Sequence, residues 1–236
     1  MNVGDDIQKG RADWDFGGSV PEHFVPHIRK SVPYYDDGHD LICYLSDFFC
    51  LKDSVCYELG SSTGELIKKL AVYNAHKPQA RWIGIDIEAN MVKKAKEHCK
   101  GVANVEMVED NILTCAFEKA DLIVAYYCVQ FIPERHRQEL FHKIYNSLNW
   151  GGAFILFEKV RAPDARFQDM MSSVYSDYKL RNGFSCDEIV GKAQSLKGVL
   201  DPFSTEGNMG LLKRAGFVDV MSVMKYVCFE GFLAIK

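Results

Sequence analysis

The chain has 236 residues, 47% of them hydrophobic and 25% charged, enough to bury a real core as one large domain or one domain with an appendage. A net charge of -4 argues against a protein whose whole surface grips nucleic acid, makes nucleic acid an improbable direct substrate and favours a small molecule. No apolar run approaches a membrane span, the polar start Met1–Gly10 carries no signal-peptide core, and the eight cysteines are scattered without a CxxC pair; the expectation is a cytoplasmic protein with neither a metal site nor a disulfide framework.

Taken in order, residues 1–12 read as loose. From Trp14 the chain turns aromatic and proline-punctuated, through Trp14-Asp15-Phe16 and Pro21, Pro26 and Pro33 to Tyr34-Tyr35, which predicts short helical turns broken by prolines, then a helix over roughly 38–50. Residues 1–50 read as an N-terminal helical cap over a ligand, or as aromatic padding on the outer face of the domain. The domain proper is 51–236.

Val55-Cys56-Tyr57-Glu58-Leu59-Gly60-Ser61-Ser62-Thr63-Gly64 predicts a strand and a tight turn, and Leu66, Ile67, Leu70 and Ala71 share one face of the helix that follows. Such a turn places backbone N–H groups and a helix N-terminus at the carboxyl end of a strand, where doubly wound α/β proteins bind nucleotide-like ligands. The spacing is Gly60-x-x-x-Gly64 rather than the dinucleotide G-x-G-x-x-G, and Glu58 stands beside the loop. A carboxylate there repels phosphate and suits an ammonium group, such as that of the methionine part of S-adenosylmethionine (SAM).

Arg81–Asp86 predicts a second strand ending in an acid placed to accept hydrogen bonds from both hydroxyls of a ribose, to cap the next helix, or to do both. Asn104–Val108 predicts a third strand, followed by Glu109-Asp110-Asn111-Ile112, where an acid or amide meets an adenine amino group or simply forms a turn. Asp121–Tyr127 predicts a fourth strand that delivers Tyr126 to the crevice rim. Pro133 opens a helix that Gly151-Gly152 end, Ala153–Glu158 form a fifth strand, and 162–200 read as a helical insertion before the last helix, which ends at Gly216. Phe217–Phe229 and Gly231–Ile235 close the sheet as an antiparallel pair. The pattern is α/β, the seven-stranded Rossmann-like sheet of class I SAM-dependent methyltransferases.

With these residues placed, the chain resembles the carboxy-S-adenosylmethionine synthase family, SAM-fold enzymes that use prephenate to carboxylate SAM for wobble-uridine modification in tRNA. The resemblance rests on Trp14-Asp15-Phe16, Ser31-Val32-Pro33 with Tyr35, Tyr57-Glu58-Leu59-Gly60-Ser61-Ser62, Ile85-Asp86, Val129-Gln130-Phe131, Lys143-Ile144-Tyr145, Glu158-Lys159 and Asn182-Gly183-Phe184-Ser185. It implies a homodimer, and SAM contacts from Tyr35, Gly60, Ser61, Ser62, Asp86, Ile87, Asn111 and Ile112, to which the residues themselves add Glu58 and Tyr126. The family carries an arginine in the helix after Ser185, forking onto the carboxylate of the carboxylated cofactor; here Ala193 stands there, with Lys192 beside it. The family's asparagine at the end of strand four is Tyr126, its aspartate after strand three is Asn111, and its Asn-Pro-Gly-Gly turn is Asn149-Trp150-Gly151-Gly152.

The cofactor cradle is thus retained and the arginine reader is not. The sequence reading favours a SAM-dependent methyltransferase acting on a small acceptor, with Tyr126 and Tyr35 as candidate catalytic residues, over a prephenate-dependent carboxy-SAM synthase or a non-catalytic SAM-binding module.

Overall fold

The computed structural model describes residues 1–18 and 20–236, and within them eight α-helices and seven strands. The strands are β1 (Val55–Leu59), β2 (Arg81–Asp86), β3 (Val105–Glu109), β4 (Ala120–Tyr126), β5 (Leu148–Lys159), β6 (Asp219–Tyr226) and β7 (Phe229–Ile235), in the sheet order β3-β2-β1-β4-β5-β7-β6. The first five pair in parallel, and β7 runs antiparallel between β5 and β6. Strand order reverses between β1 and β4, so their carboxyl ends open a crevice there.

The central strands are continuously apolar because both faces of the sheet are covered. Alternate residues supply two cores. Leu122, Val124, Ile155 and Phe157 face the side covered by α2 (Tyr35–Phe49), α3 (Glu65–Tyr73) and α4 (Ala89–His98). Ile123, Ala125, Phe154 and Leu156 face the side covered by α5 (Glu134–Ser147) and α8 (Thr205–Ala215). The remaining helices, α1 (Val20–Ser31), α6 (Ala165–Arg181) and α7 (Cys186–Ser195), gather above the carboxyl ends of the strands with the N-terminal segment.

Three expectations are corrected. Residues 20–31 form one helix rather than broken turns: Pro21 sits in the first turn, where its missing N–H costs nothing, and Pro26 removes a single hydrogen bond. Gly151-Gly152 do not end a helix. They lie within β5, whose turn at Gly151 (φ 80°) pairs with Lys236, so α5 stops at Ser147.

The third correction concerns residues 1–12, which are not loose. Val3 and Ile7 are completely buried with Trp14, Val20 and Met91. The backbone N–H groups of Ala12, Asp13 and Trp14 donate to the carbonyls of Gln194 and Ser195 at the end of α7. No helix among the described residues is long and apolar enough to cross a membrane.

Phe154 is fully buried between Phe141 and Phe217, with ring centroids at 5.6 and 6.3 Å. Phe154→Ala empties that layer and is expected to cost about 3–5 kcal/mol in urea unfolding.

Candidate active site

The glycine loop between β1 and α3 is tied to β2. Gly60 and Ser61 N–H both donate to Ile85 O (2.8 and 3.1 Å), Ser62 N–H donates to Asp86 Oδ2 at 2.7 Å, and Gly64 N–H to Ser61 O. The second oxygen of Asp86 accepts from Glu88 N–H at 3.0 Å, so this carboxylate joins the loop to the entrance of α4. Four of the loop's N–H groups, expected to face a ligand, are therefore used inside the fold. Gly60 has φ 72°, and a Cβ there would meet Cys128 Cβ at 2.7 Å, so the position requires glycine.

Above the crevice lies a cavity of about 580 Å³, and all ten sequence-predicted cofactor residues line it: Tyr35, Glu58, Gly60, Ser61, Ser62, Asp86, Ile87, Asn111, Ile112 and Tyr126. Trp14 and Phe16 line it from the N-terminal side. Burial, then the charges of Asp86 and Glu65, push the Glu58 carboxyl well above its usual range; burial also raises Asp86 against the pull of its N–H partners.

The polar atoms on this wall fit a SAM-like ligand. Glu58 Oε2, Ser61 Oγ, Thr63 Oγ1 and Trp14 Nε1 are buried without a hydrogen-bond partner among the described residues, and all four belong to lining residues. Buried polar groups are almost always paired, so four orphans around one cavity mark the partners a ligand brings.

Two placements alter the expected roles. The Tyr126 hydroxyl donates to the main-chain oxygen of Tyr35 at 2.7 Å, and burial drives its pKa far up. It latches α2 to the end of β4 and is not a free base. Its ring packs among Tyr35, Tyr127 and Phe157, while His39, edge-on to it at 4.8 Å, is buried and does not line the cavity. Asn111 Oδ1 accepts from Leu113 N–H at 2.9 Å, which shapes the turn after β3.

The same cavity gathers three lysines, of which the sequence pointed to Lys192 beside Ala193 and to Lys159 within the family resemblance but not to their meeting with Lys179. Lys159 from the end of β5, Lys179 from α6 and Lys192 from α7 all line the cavity. Their ammonium groups rest on aromatic faces: Lys159 and Lys179 lie 4.7 and 4.6 Å from the ring centre of Tyr175, and Lys192 lies 5.2 Å from that of Trp14. Lys192 also donates to Ser31 Oγ at 3.0 Å and to His27 Nε2. No carboxylate stands within ion-pair distance of any of the three among the described residues.

Burial, and then their mutual repulsion, lowers these amines: Lys179 to about 8 and Lys192 to about 7, with Lys159 lowered as well, chiefly by burial. Glu158-Lys159 is part of the family resemblance, but nothing in the spacing of 159, 179 and 192 shows that they meet. Lys179 is the one buried residue of α6, a fact no helical periodicity announces.

The fold places the chain among class I SAM-dependent methyltransferases. A methyltransferase-domain family model matches residues 57–152. Human N-acetylserotonin methyltransferase in complex with SAM superposes with a TM-score of 0.56 at 18% identity, over 91% of this chain and 61% of that one. An O-methyltransferase family protein of Burkholderia thailandensis gives 0.63 at 15%, over 92% and 59%. Similarity in sequence is far closer to carboxy-S-adenosyl-L-methionine synthases: 34% identity to that of Staphylococcus epidermidis over 94% of this chain and 97% of the relative, and 35% to that of Campylobacter jejuni over 97% of each. The chain belongs to the carboxy-S-adenosyl-L-methionine synthase family. It is a SAM-dependent transferase.

Three desolvated amines without counter-ions should destabilise the ligand-free protein. Lys179→Met is expected to raise its stability by about 2 kcal/mol, read by denaturant titration. The folded-state value of about 8 lies below the ordinary 10.5. The wild-type penalty is therefore complete below pH 8 and fades toward pH 10.5, and the advantage of Lys179→Met should shrink over that interval.

Proposed function

We propose that this protein carboxylates SAM: the C–C bond that joins a donor acid to its carboxyl group breaks, the sulfonium methyl carbon bonds that carboxyl carbon in place of one hydrogen, and the methyl proton leaves with the remainder of the donor. The observation that carries the reading is the group of three lysines without a carboxylate counter-ion that line the same cavity as Glu58 and Asp86. A methyl group needs no cation, whereas a carboxylate in a site with apolar walls needs one at close range, because leaving it desolvated and unpaired costs several kcal/mol.

Ala193, which stands where the family pattern has an arginine, lines the cavity and carries no charge. Lys159, Lys179 and Lys192 supply its charge from three separate elements as point charges, without the planar fork. The names of the full-length relatives agree with this reading.

When bound, SAM supplies a methyl group activated by the adjoining sulfonium. In the proposed arrangement Asp86 accepts from the ribose hydroxyls with the lone pairs left over from Ser62 and Glu88, and Glu58 faces the ammonium group. Ile87, Asn111 and Ile112 border the adenine. Tyr35 and Trp14, with the rest of residues 1–50, close the cavity from above, and the insertion 162–200 brings in two of the three amines. Closure excludes water and strengthens each of these contacts.

The Ala193 position supports the second reading, a methyltransferase for a small acceptor, and the two differ in product. Incubation with SAM and prephenate, followed by mass spectrometry, is expected to show SAM enlarged by one carboxyl group; methyl transfer to a supplied acceptor, with no such product, would refute the proposal.

Two binding measurements complete the test. Lys192→Met and Lys159→Met should each lower affinity for the carboxylated cofactor roughly tenfold or more while leaving affinity for SAM nearly intact. Asp86→Ala should weaken both ligands alike by about 2–3 kcal/mol in calorimetry. The same calorimetry run from pH 6.5 to 9 should show the carboxylated cofactor losing affinity as Lys192 and Lys179 discharge through about 7 and 8, with no such loss for SAM.

A further inference from the structure

The amine of Lys192 is held from behind by a chain of side chains that reaches the N-terminal segment. Its Nζ contacts Nε2 of His27, on α1. The other ring nitrogen of His27, Nδ1, lies 3.1 Å from Asp5 Oδ2, and the remaining oxygen of Asp5 pairs with Lys30. His27 is buried, with its ring stacked 6.1 Å from that of Trp14, and Trp14 also carries Lys192 on its face.

The protonation pattern of this chain follows from its ends. An ammonium group has only hydrogens to give, so Nε2 must accept; a carboxylate has only lone pairs, so Nδ1 must carry the proton. Burial, then the positive charge of Lys192, pushes His27 down to about 3, so it stays neutral with one proton to place. Although burial raises Asp5, Lys30 and His27 hold it below the usual carboxylate range, so the acceptor end stays charged. The amine meets Lys159 and Lys179 as repelling charges and Asp5 as its attracting one; Lys30 repels His27 and is neutralised by Asp5.

We propose that Asp5 and His27 are positioning residues for Lys192: Asp5 fixes the tautomer of His27, and His27, by accepting from the Lys192 amine, favours its charged form and holds it at the cavity. The first dozen residues are then part of the anion-binding apparatus. Val3 and Ile7, buried to 0% and 1% exposure, and the main-chain bonds from residues 12–14 to the end of α7 anchor Asp5 against the helix that carries Lys192. This inference rests on the proposed role of the three lysines as carboxylate receivers.

The test reads Lys192 directly. In protein carrying isotope-labelled lysine ε-nitrogens, Lys192→Met assigns its resonance, and the titration midpoint is followed in the His27→Phe, His27→Gln and Asp5→Ala variants. A phenyl ring fills the site without accepting, so His27→Phe should lower the Lys192 midpoint by roughly one pH unit. It should also reduce the ratio of carboxylated-cofactor to SAM affinity about tenfold at pH 7.5.

Glutamine carries an acceptor oxygen and a donor nitrogen in the order the chain requires, so His27→Gln should restore much of both. Asp5→Ala, which frees the tautomer, should shift both in the direction of His27→Phe and serves in its place if that variant does not fold. A wild-type midpoint and an unchanged affinity ratio in His27→Phe or Asp5→Ala would overturn the positioning role. Lys192→Met with an unchanged ratio would instead overturn the carboxylate-receiver reading, and the midpoint shifts would still decide whether the chain from Asp5 to Lys192 operates.

Discussion

The constraint on which this structure turns is the confinement of three ammonium groups at one wall of an apolar cavity without a counter-ion. Water is the best solvent for such charges, and each one moved out of it costs several kcal/mol unless the protein answers the loss. The answers here are partial ones. The ring of Tyr175 faces two of the amines and that of Trp14 the third, Ser31 and His27 accept from Lys192, and Asp5 acts from behind His27. None neutralises a charge in contact, so the cluster stays short of one negative partner.

Polarity across the cavity gives that shortage a direction. Glu58 and Asp86 stand at the ends of β1 and β2, while the lysines come from the end of β5 and from the two helices that follow it. The doubly wound sheet separates the two sets, because β1 and β2 lie on one side of the point where strand order reverses and β5 on the other. A ligand with ammonium and ribose groups at one end and a new carboxylate at the other matches both walls. In the proposed function, stability surrendered by the empty protein is recovered as preference for the carboxylated ligand. Alanine at 193 is then tolerable because three other backbone positions bring positive charge to the same cavity.

How the N-terminal segment enters this picture follows from packing. Trp14 touches His27, Phe16 and the Lys192 amine, and Phe16 packs on Phe131 beside the 3-10 turn after β4. The segment is therefore clamped between the crevice and α7, and the side chains it contributes are fixed by burial instead of by regular backbone hydrogen bonding. It can hold a polar group such as Asp5 in register with a lysine that is 187 positions away in sequence.

By itself the sequence determined the alternation of strands and helices, the glycine turn after β1, the acid at the end of β2 and the closing antiparallel pair, because each is written in local chemistry: period-two or period-3.6 hydrophobicity, glycine where φ is positive, and a carboxylate at a strand end. The ten residues it proposed for a cofactor line one cavity, most of them because doubly wound connections carry strand ends to the same edge of the sheet. It did not reveal that Gly151-Gly152 belong to a strand, which is fixed by pairing with Lys236 at the far end of the chain, nor that Tyr126 spends its hydroxyl on the backbone of Tyr35. The meeting of Lys159, Lys179 and Lys192, and the bond from Asp5 through His27, were decided only in three dimensions. Charged side chains carry no periodicity that reports their burial, and whether an amine points to solvent or to a cavity depends on helices packed from parts of the chain that no local pattern connects.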